Sequence, residues 1–271
     1  MTDEDLMTDE ANEAKEMARI IIAHHFGSRP GRIKYKASGL SNFVFSAKHS
    51  EGDFIVRISF EPARINDFIK EQWAQTQARA AGVPTSDILE VGNEVVPHPF
   101  MILRFVAGRE ATGHPERMKI LREMGRFAAL INSIPTNGFG STFDWSSNQL
   151  SHNETFDEYL QKELQIESRL QTLEKRRALA AGQIKSIRAI FAEAVKSNPQ
   201  PALNHGDIRL KNVIADEQGE IKAILDWEDC TSNLAPQWEL SLVLHDLSID
   251  EKQVFLEGYG ISEKKLRKFR P

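Results

Sequence analysis

The segment 205–229, HGDIRLKNVIADEQGEIKAILDWED, constrains this chain more than any other. It holds two short runs of apolar, largely β-branched residues, Val213-Ile214-Ala215 and Ile221-Lys222-Ala223-Ile224-Leu225, on either side of the turn signal Glu217-Gln218-Gly219. Runs this short with a glycine turn between them read as a β-hairpin. Polar residues stand at the outer ends of both strands: Asp207 and Asn212 before the first, Asp226 after the second. Pairing the strands brings these three side chains together. The set amounts to one proton acceptor and two hard oxygen ligands for a divalent cation. Phosphoryl transfer from a nucleotide needs those groups and little covalent chemistry from the protein.

The rest of the composition narrows the class. With 271 residues the chain is long enough for one large domain or two smaller lobes. Apolar residues at 41% and charged residues at 27% describe an ordinary globular protein. A net charge of −5 argues against a nucleic-acid partner. The single cysteine, Cys230, excludes an internal disulfide and suits a reducing, cytoplasmic setting. The start Met1-Thr2-Asp3-Glu4-Asp5 is acidic where a secretory signal is basic. The apolar run Ala18–Ala23 is interrupted by Arg19 and is too short to span a bilayer, so no membrane partner is expected.

Periodicity gives the order of elements. A helix is predicted over 8–26, stopped by Gly27 and Pro30. Strand signals follow at 33–35, 43–47 and 54–58, the last two joined by a turn at Ser50-Glu51-Gly52-Asp53. A helix over 63–81 carries Ile65, Phe68, Ile69, Trp73 and Ala80 on one stripe and ends at Gly82 and Pro84. Strands are predicted at 88–91 and 100–106. Helices are then predicted at 115–133, 154–174, 176–196, 236–247 and 249–258, with the 213–225 hairpin as the one island of strand. The composition shifts after Val106. We therefore expect an N-terminal lobe over 1–106 and a C-terminal lobe over 107–271.

In this order of segments the chain resembles the aminoglycoside phosphotransferase and choline kinase family, a branch of the protein-kinase-like fold. The likeness covers most of the chain. It runs from the loop Lys36-Ala37-Ser38-Gly39-Leu40-Ser41-Asn42 through the strand Phe54-Ile55-Val56-Arg57-Ile58, then Glu71 and Ala81-Gly82-Val83-Pro84. It continues in Met101-Ile102-Leu103-Arg104-Phe105 with Gly108 and ends in HGDIRLKN and ILDWED. The resemblance implies an α+β fold of two lobes. The N-lobe is an antiparallel sheet plus helix that binds nucleotide. The C-lobe is mainly helical, with a small catalytic β-hairpin, and binds the acceptor.

It also implies roles. Asp207 is the general base or the group that orients the acceptor hydroxyl, in the Asp-x-x-x-x-Asn spacing of a kinase catalytic loop. Asn212 and Asp226 are the magnesium ligands. Arg57 stands where protein kinases use a lysine to hold phosphates, and pairs with Glu71. Ser38, Gly39, Ser41 and Asn42 cover the phosphates through backbone N–H groups and hydroxyls, although one glycine stands where a protein-kinase loop has three. Arg209 steadies the transferred phosphoryl group, or is a solvated loop arginine. Arg104 and Val106 lie where strand backbone meets the base. His205 is expected to fix the loop rather than act as an acid.

The implied enzyme is an ATP-dependent (or GTP-dependent), Mg²⁺-assisted phosphotransferase with a small-molecule hydroxyl acceptor. That acceptor is expected against helices within 154–196 and 236–259, near Glu228, Asp229, Trp238 and Glu239. Carboxylates there suit a cationic acceptor such as an aminoglycoside or amino alcohol. The other reading of Trp238 and Glu239 is that they tie a helix to the catalytic loop. The stretch GEIKAILDWEDCTSNLAPQWELSL looks most like hygromycin-type members. Two alternatives are a nucleotide-binding regulator that has lost transfer and a protein kinase. Against the second stand HGD for HRD, DWE for DFG and the lack of an Ala-Pro-Glu segment after residue 226.

Overall fold

The structure, a computed structural model, describes residues 9–36, 42–141 and 150–261. Its N-terminal part is built on one antiparallel sheet: β1 (Arg32–Lys36), β2 (Phe43–His49), β3 (Gly52–Ile58), β4 (Ile88–Gly92) and β5 (Phe100–Arg104), in the order β1-β2-β3-β5-β4. The alternation of side chains along a strand decides what each face does. Phe45 and Ala47 on β2, Phe54, Val56 and Ile58 on β3, and Phe100 and Ile102 on β5 pack with Met17, Ile21 and Ile22 of α1 (Asp9–Phe26). The intervening residues Val44, Ile55, Arg57 and Leu103 therefore face the other way, into a cleft.

The helix α2 (Arg64–Ala80) belongs to two cores. Phe68 packs against Met101 and Leu103 of the sheet. Ala74 and Ala78 join the large core of the C-terminal part, with Ile120, Leu121, Met124, Leu203, Ile224 and Trp227. There α3 (Arg117–Ile131) lies against α8 (Ile249–Tyr259) at backbone contact. A Cβ on Gly125 would stand 2.0 Å from the Phe255 carbonyl oxygen, and one on Gly258 would stand 1.9 Å from that of Arg122. Only glycine permits that approach. Among the described residues no helix is long and apolar enough to cross a membrane.

Three elements differ from expectation. The helix expected at 154–174 is broken. It starts as α4 (Phe156–Glu158), capped by the reciprocal Thr155–Glu158 hydrogen bonds, and continues as a π-helical turn over Tyr159–Glu163. It then reverses at Gln165, whose φ of 47° is left-handed, before α5 (Ile166–Lys175). Apolar residues at Phe156, Tyr159, Leu160, Ile166 and Leu170 keep one period across the break and hide it. The helix expected at 176–196 starts only at Ala181 (α6, Ala181–Lys196), because Arg177 is left-handed and Ala180 is extended. The last expected strand before the lobe junction ends at Arg104, two residues short of Val106.

The hairpin is also not alone. β8 (Val213–Ala215) and β9 (Ile221–Ile224) are joined by β6 (Arg109–Glu110). A separate pair is formed by β7 (Ala202–Asn204) and β10 (Thr231–Asn233). At two or three residues each, the extra strands are too short to show a period. α7 (Gln237–Val243) follows β10.

Candidate active site

The catalytic loop leaves β7 at Asn204 and is anchored from below. The His205 N–H donates to the Glu239 carboxylate of α7 at 2.6 Å. The imidazole Nε2–H donates to the Leu225 carbonyl at 3.1 Å, and Nδ1 accepts the Asp207 N–H at 3.2 Å. Those two bonds assign the neutral Nε2–H tautomer. Burial drives the His205 pKa down to about 4, so the ring stays neutral. It stacks at a tilt on fully buried Trp227, with centroids 4.5 Å apart. Gly206 must be glycine: its φ is +85°, and a Cβ would meet the Asp229 carbonyl oxygen at 2.2 Å. His205 thus holds the loop, as the sequence suggested.

Asp207 stands just above this anchor. Its carboxylate, 13% exposed, takes Arg209 Nε on Oδ1 at 2.7 Å and Lys211 Nζ on Oδ2 at 3.1 Å. Asn212 Nδ2 also donates to Oδ2, and to the Asp207 carbonyl, both at 2.9 Å. Because its nitrogen is used, the Asn212 amide has its oxygen left for another partner. The hairpin ladder reaches down to this residue, for the Leu225 N–H donates to the Asn212 carbonyl at 2.8 Å. Asp226 therefore follows directly beside Asn212. Its φ is 67°, in the left-handed region. Among the described residues its carboxylate makes no hydrogen bond or ion pair, and both it and Asn212 line the cleft. Burial and the charge of Asp207 raise its pKa, while Arg57 and Lys211 oppose that rise. An amide oxygen and a desolvated, unpaired carboxylate on one wall form a donor set that fits Mg²⁺.

The cleft has a volume of about 550 Å³. Its upper wall is Arg57, whose Nη1 donates to Glu71 Oε2 at 2.7 Å. Burial pushes the Glu71 carboxyl up and the guanidinium opposes it, while Glu71, Glu228 and Asp226 together keep Arg57 charged against its own burial. A second acid, Glu228, approaches Arg57 Nη2 at 3.5 Å, and Lys70 Nζ donates to the Glu228 carbonyl at 2.7 Å. Asn42, Arg104 and Val106 also line the cleft. The Arg104 N–H is taken by the Asp87 carbonyl, and its own carbonyl accepts from Ser86 Oγ at 2.7 Å. Ser38, Gly39 and Ser41 lie outside the described residues.

One predicted residue stands elsewhere. Arg209 reaches Asp246 at 3.3 Å as well as Asp207, and it lines a second, smaller cavity rather than the cleft. The expected wall of acceptor carboxylates is not formed. Glu239 is fully buried on His205, and Glu228 sits in the cleft beside Arg57. Sequence reasoning missed Lys211, although its place four residues after Asp207 in the same motif was a signal. It also missed Lys70, Gln75 and Asp246, which approach the site only through tertiary packing.

The sequence model of the phosphotransferase enzyme family matches residues 32–270. A sequence search of the curated proteins found no match. Solved structures of similar fold include a thermostable mutant of aminoglycoside phosphotransferase APH(4)-Ia in ternary complex with AMP-PNP and hygromycin B. Its TM-score is 0.59 at 18% identity, over 82% of this chain and 74% of that one. A putative aminoglycoside phosphotransferase from Ralstonia eutropha JMP134 aligns with a TM-score of 0.53 at 18% identity, over 91% and 81%. The GDP complex of aminoglycoside 2'-phosphotransferase-IIIa gives 0.60 at 14%, over 94% and 86%. At these identities the likeness is one of fold.

Proposed function

Because this chain belongs to the phosphotransferase enzyme family, and so is a small-molecule kinase, we propose that it moves the γ-phosphate of ATP, or of GTP, to a hydroxyl held beside Asp207. The observation that carries this reading is the convergence of Asn212, Asp226 and Arg57 on one cleft, with Asp207 bonded to Asn212 at its edge. Structures of similar fold hold AMP-PNP or GDP, which supports a nucleotide in this chain's cleft. We divide the chain after Val106 into a nucleotide-binding lobe, 1–106, and a catalytic and acceptor-binding lobe, 107–271.

In this mechanism Arg57, held by Glu71, grips the nucleotide phosphates, and the 38–42 loop covers them. Backbone at Arg104 and Val106 meets the base. Asn212 and Asp226 would hold Mg²⁺, which supplies charge neutralisation on the phosphate oxygens. The acceptor oxygen forms a bond to the γ-phosphorus as the bond from that phosphorus to the ADP oxygen breaks. The hydroxyl proton passes to Asp207, whose carboxylate three donors hold in place. Positioning and charge neutralisation account for most of the rate gain.

Titrating AMP-PNP into the protein with and without MgCl₂ tests the metal assignment. Binding should tighten with Mg²⁺, and Asp226→Asn should remove that gain by about tenfold, the scale of one charge-assisted contact of about 1.5 kcal/mol. An equal Mg²⁺ effect in the variant would remove Asp226 from the site.

A further inference from the structure

The second cavity has a volume of about 250 Å³ and opens beside the catalytic loop, between α3 and the end of α7. Met124 and Val243 contribute apolar walls, while Arg117, Arg209, Lys211 and Asp246 supply its charge. It is joined to the reaction centre by bonds already described: Arg209 and Lys211 both hold the Asp207 carboxylate, and Lys211 lines the cleft as well. A molecule seated there meets Asp207 from the side opposite the nucleotide.

Resting on the phosphotransferase reading, we propose that this cavity seats the acceptor, and that the acceptor is a small polyol bearing an acidic group. Three of the four charged residues that line the cavity are cationic. The one carboxylate, Asp246, is already engaged by Arg209 at 3.3 Å. The acids that would have welcomed ammonium groups are committed elsewhere: Glu239 to His205, Glu228 to Arg57, and Glu251 to Arg117 at 2.5 Å. An acceptor with several ammonium groups would meet guanidinium and ammonium instead. A carboxylate or phosphate group finds Arg117, Arg209 and Lys211, and a guanidinium fork binds such groups with two parallel bonds. The size agrees, for the space equals about eight water molecules at about 30 Å³ each. That holds a unit of monosaccharide size.

The test is acceptor-stimulated ADP release, with MgATP, across a charge-graded set of similar size: gluconate and glucose 6-phosphate, then glucose, then glucosamine, with hygromycin B as the polycation. Each is run on the wild-type protein and on Asp246→Asn. The proposal expects the acidic members to respond best. Removing the carboxylate that competes for Arg209 should then lower their KM severalfold, the scale of an exposed ion pair. The best response from glucose, glucosamine or hygromycin B would overturn it and leave phosphoryl transfer standing. So would a raised acceptor KM in Asp246→Asn. No ADP release with any member, while AMP-PNP still binds, would instead bring down the phosphotransferase reading and this proposal with it.

Discussion

His205 and Glu239 meet at the root of the catalytic loop, and burial displaces the proton affinity of both. The His205 pKa falls from 6.5 to about 4, and that of Glu239 rises from 4.5 to about 7. As pH falls through about 6.5 to 4, the unfolded chain takes up a proton that native His205 refuses, so stability is lost. As pH rises through about 4.5 to 7, the unfolded chain releases a proton that native Glu239 keeps, so stability is again lost. The two contributions oppose each other across the shared window. Glu239→Gln keeps an acceptor for the His205 N–H and removes only the second contribution. Urea unfolding from pH 4.5 to 7 should then show the variant gaining stability relative to wild type as pH rises, by on the order of 1–3 kcal/mol. A difference that is flat or falls with pH would refute the assignment. Residues of this kind were half legible. Asp207, Asn212 and Asp226 announce themselves by spacing along one segment. Lys70 and Asp246 do not, because they reach the site from helices distant in sequence.

At the scale of elements, alternation along β3 explains how one strand serves both core and cleft. Phe54, Val56 and Ile58 turn to α1 while Ile55 and Arg57 turn to the cleft. That pattern was readable, as were α1, α2 and the hairpin, since each keeps its period for several residues. The strands β6, β7 and β10 were not, although β7 and β10 flank the catalytic loop and fix its ends through the Asn204–Thr231 register. The pairing of α3 with α8 was equally hidden, because Gly125 and Gly258 read as weak helix positions rather than as a contact. Gly125→Ala puts a methyl group into the Phe255 carbonyl, at 2.0 Å before any relaxation. It should cost about 1–3 kcal/mol or more, seen as a lower urea midpoint, with AMP-PNP affinity retained in the folded fraction. An unchanged midpoint would show that the helices separate without penalty.

Over the whole molecule, the cleft depends on joining what the chain keeps far apart. α2 links the two cores, and Lys70 and Arg57 bind it to the Glu228 segment. Trp227 is fully buried where a protein kinase carries the phenylalanine of its mobile segment, and its Nε1–H donates to the Ile224 carbonyl at 2.9 Å. The segment after Asp226 is thereby pinned, and the site is assembled without a bound ligand. The two-lobed plan was legible because the motifs fall in a fixed order. The placement of the acceptor was not, since charges such as Glu228 and Glu239 look available in sequence and are consumed by packing. The central claim is that Asp207 serves the acceptor rather than the nucleotide. Measuring AMP-PNP affinity and acceptor-stimulated ADP release side by side in Asp207→Asn tests it most directly. Nucleotide affinity should hold while turnover falls by about 10²–10⁴, the contribution of a positioned general base. Near-normal turnover, or a loss confined to nucleotide binding, would contradict it.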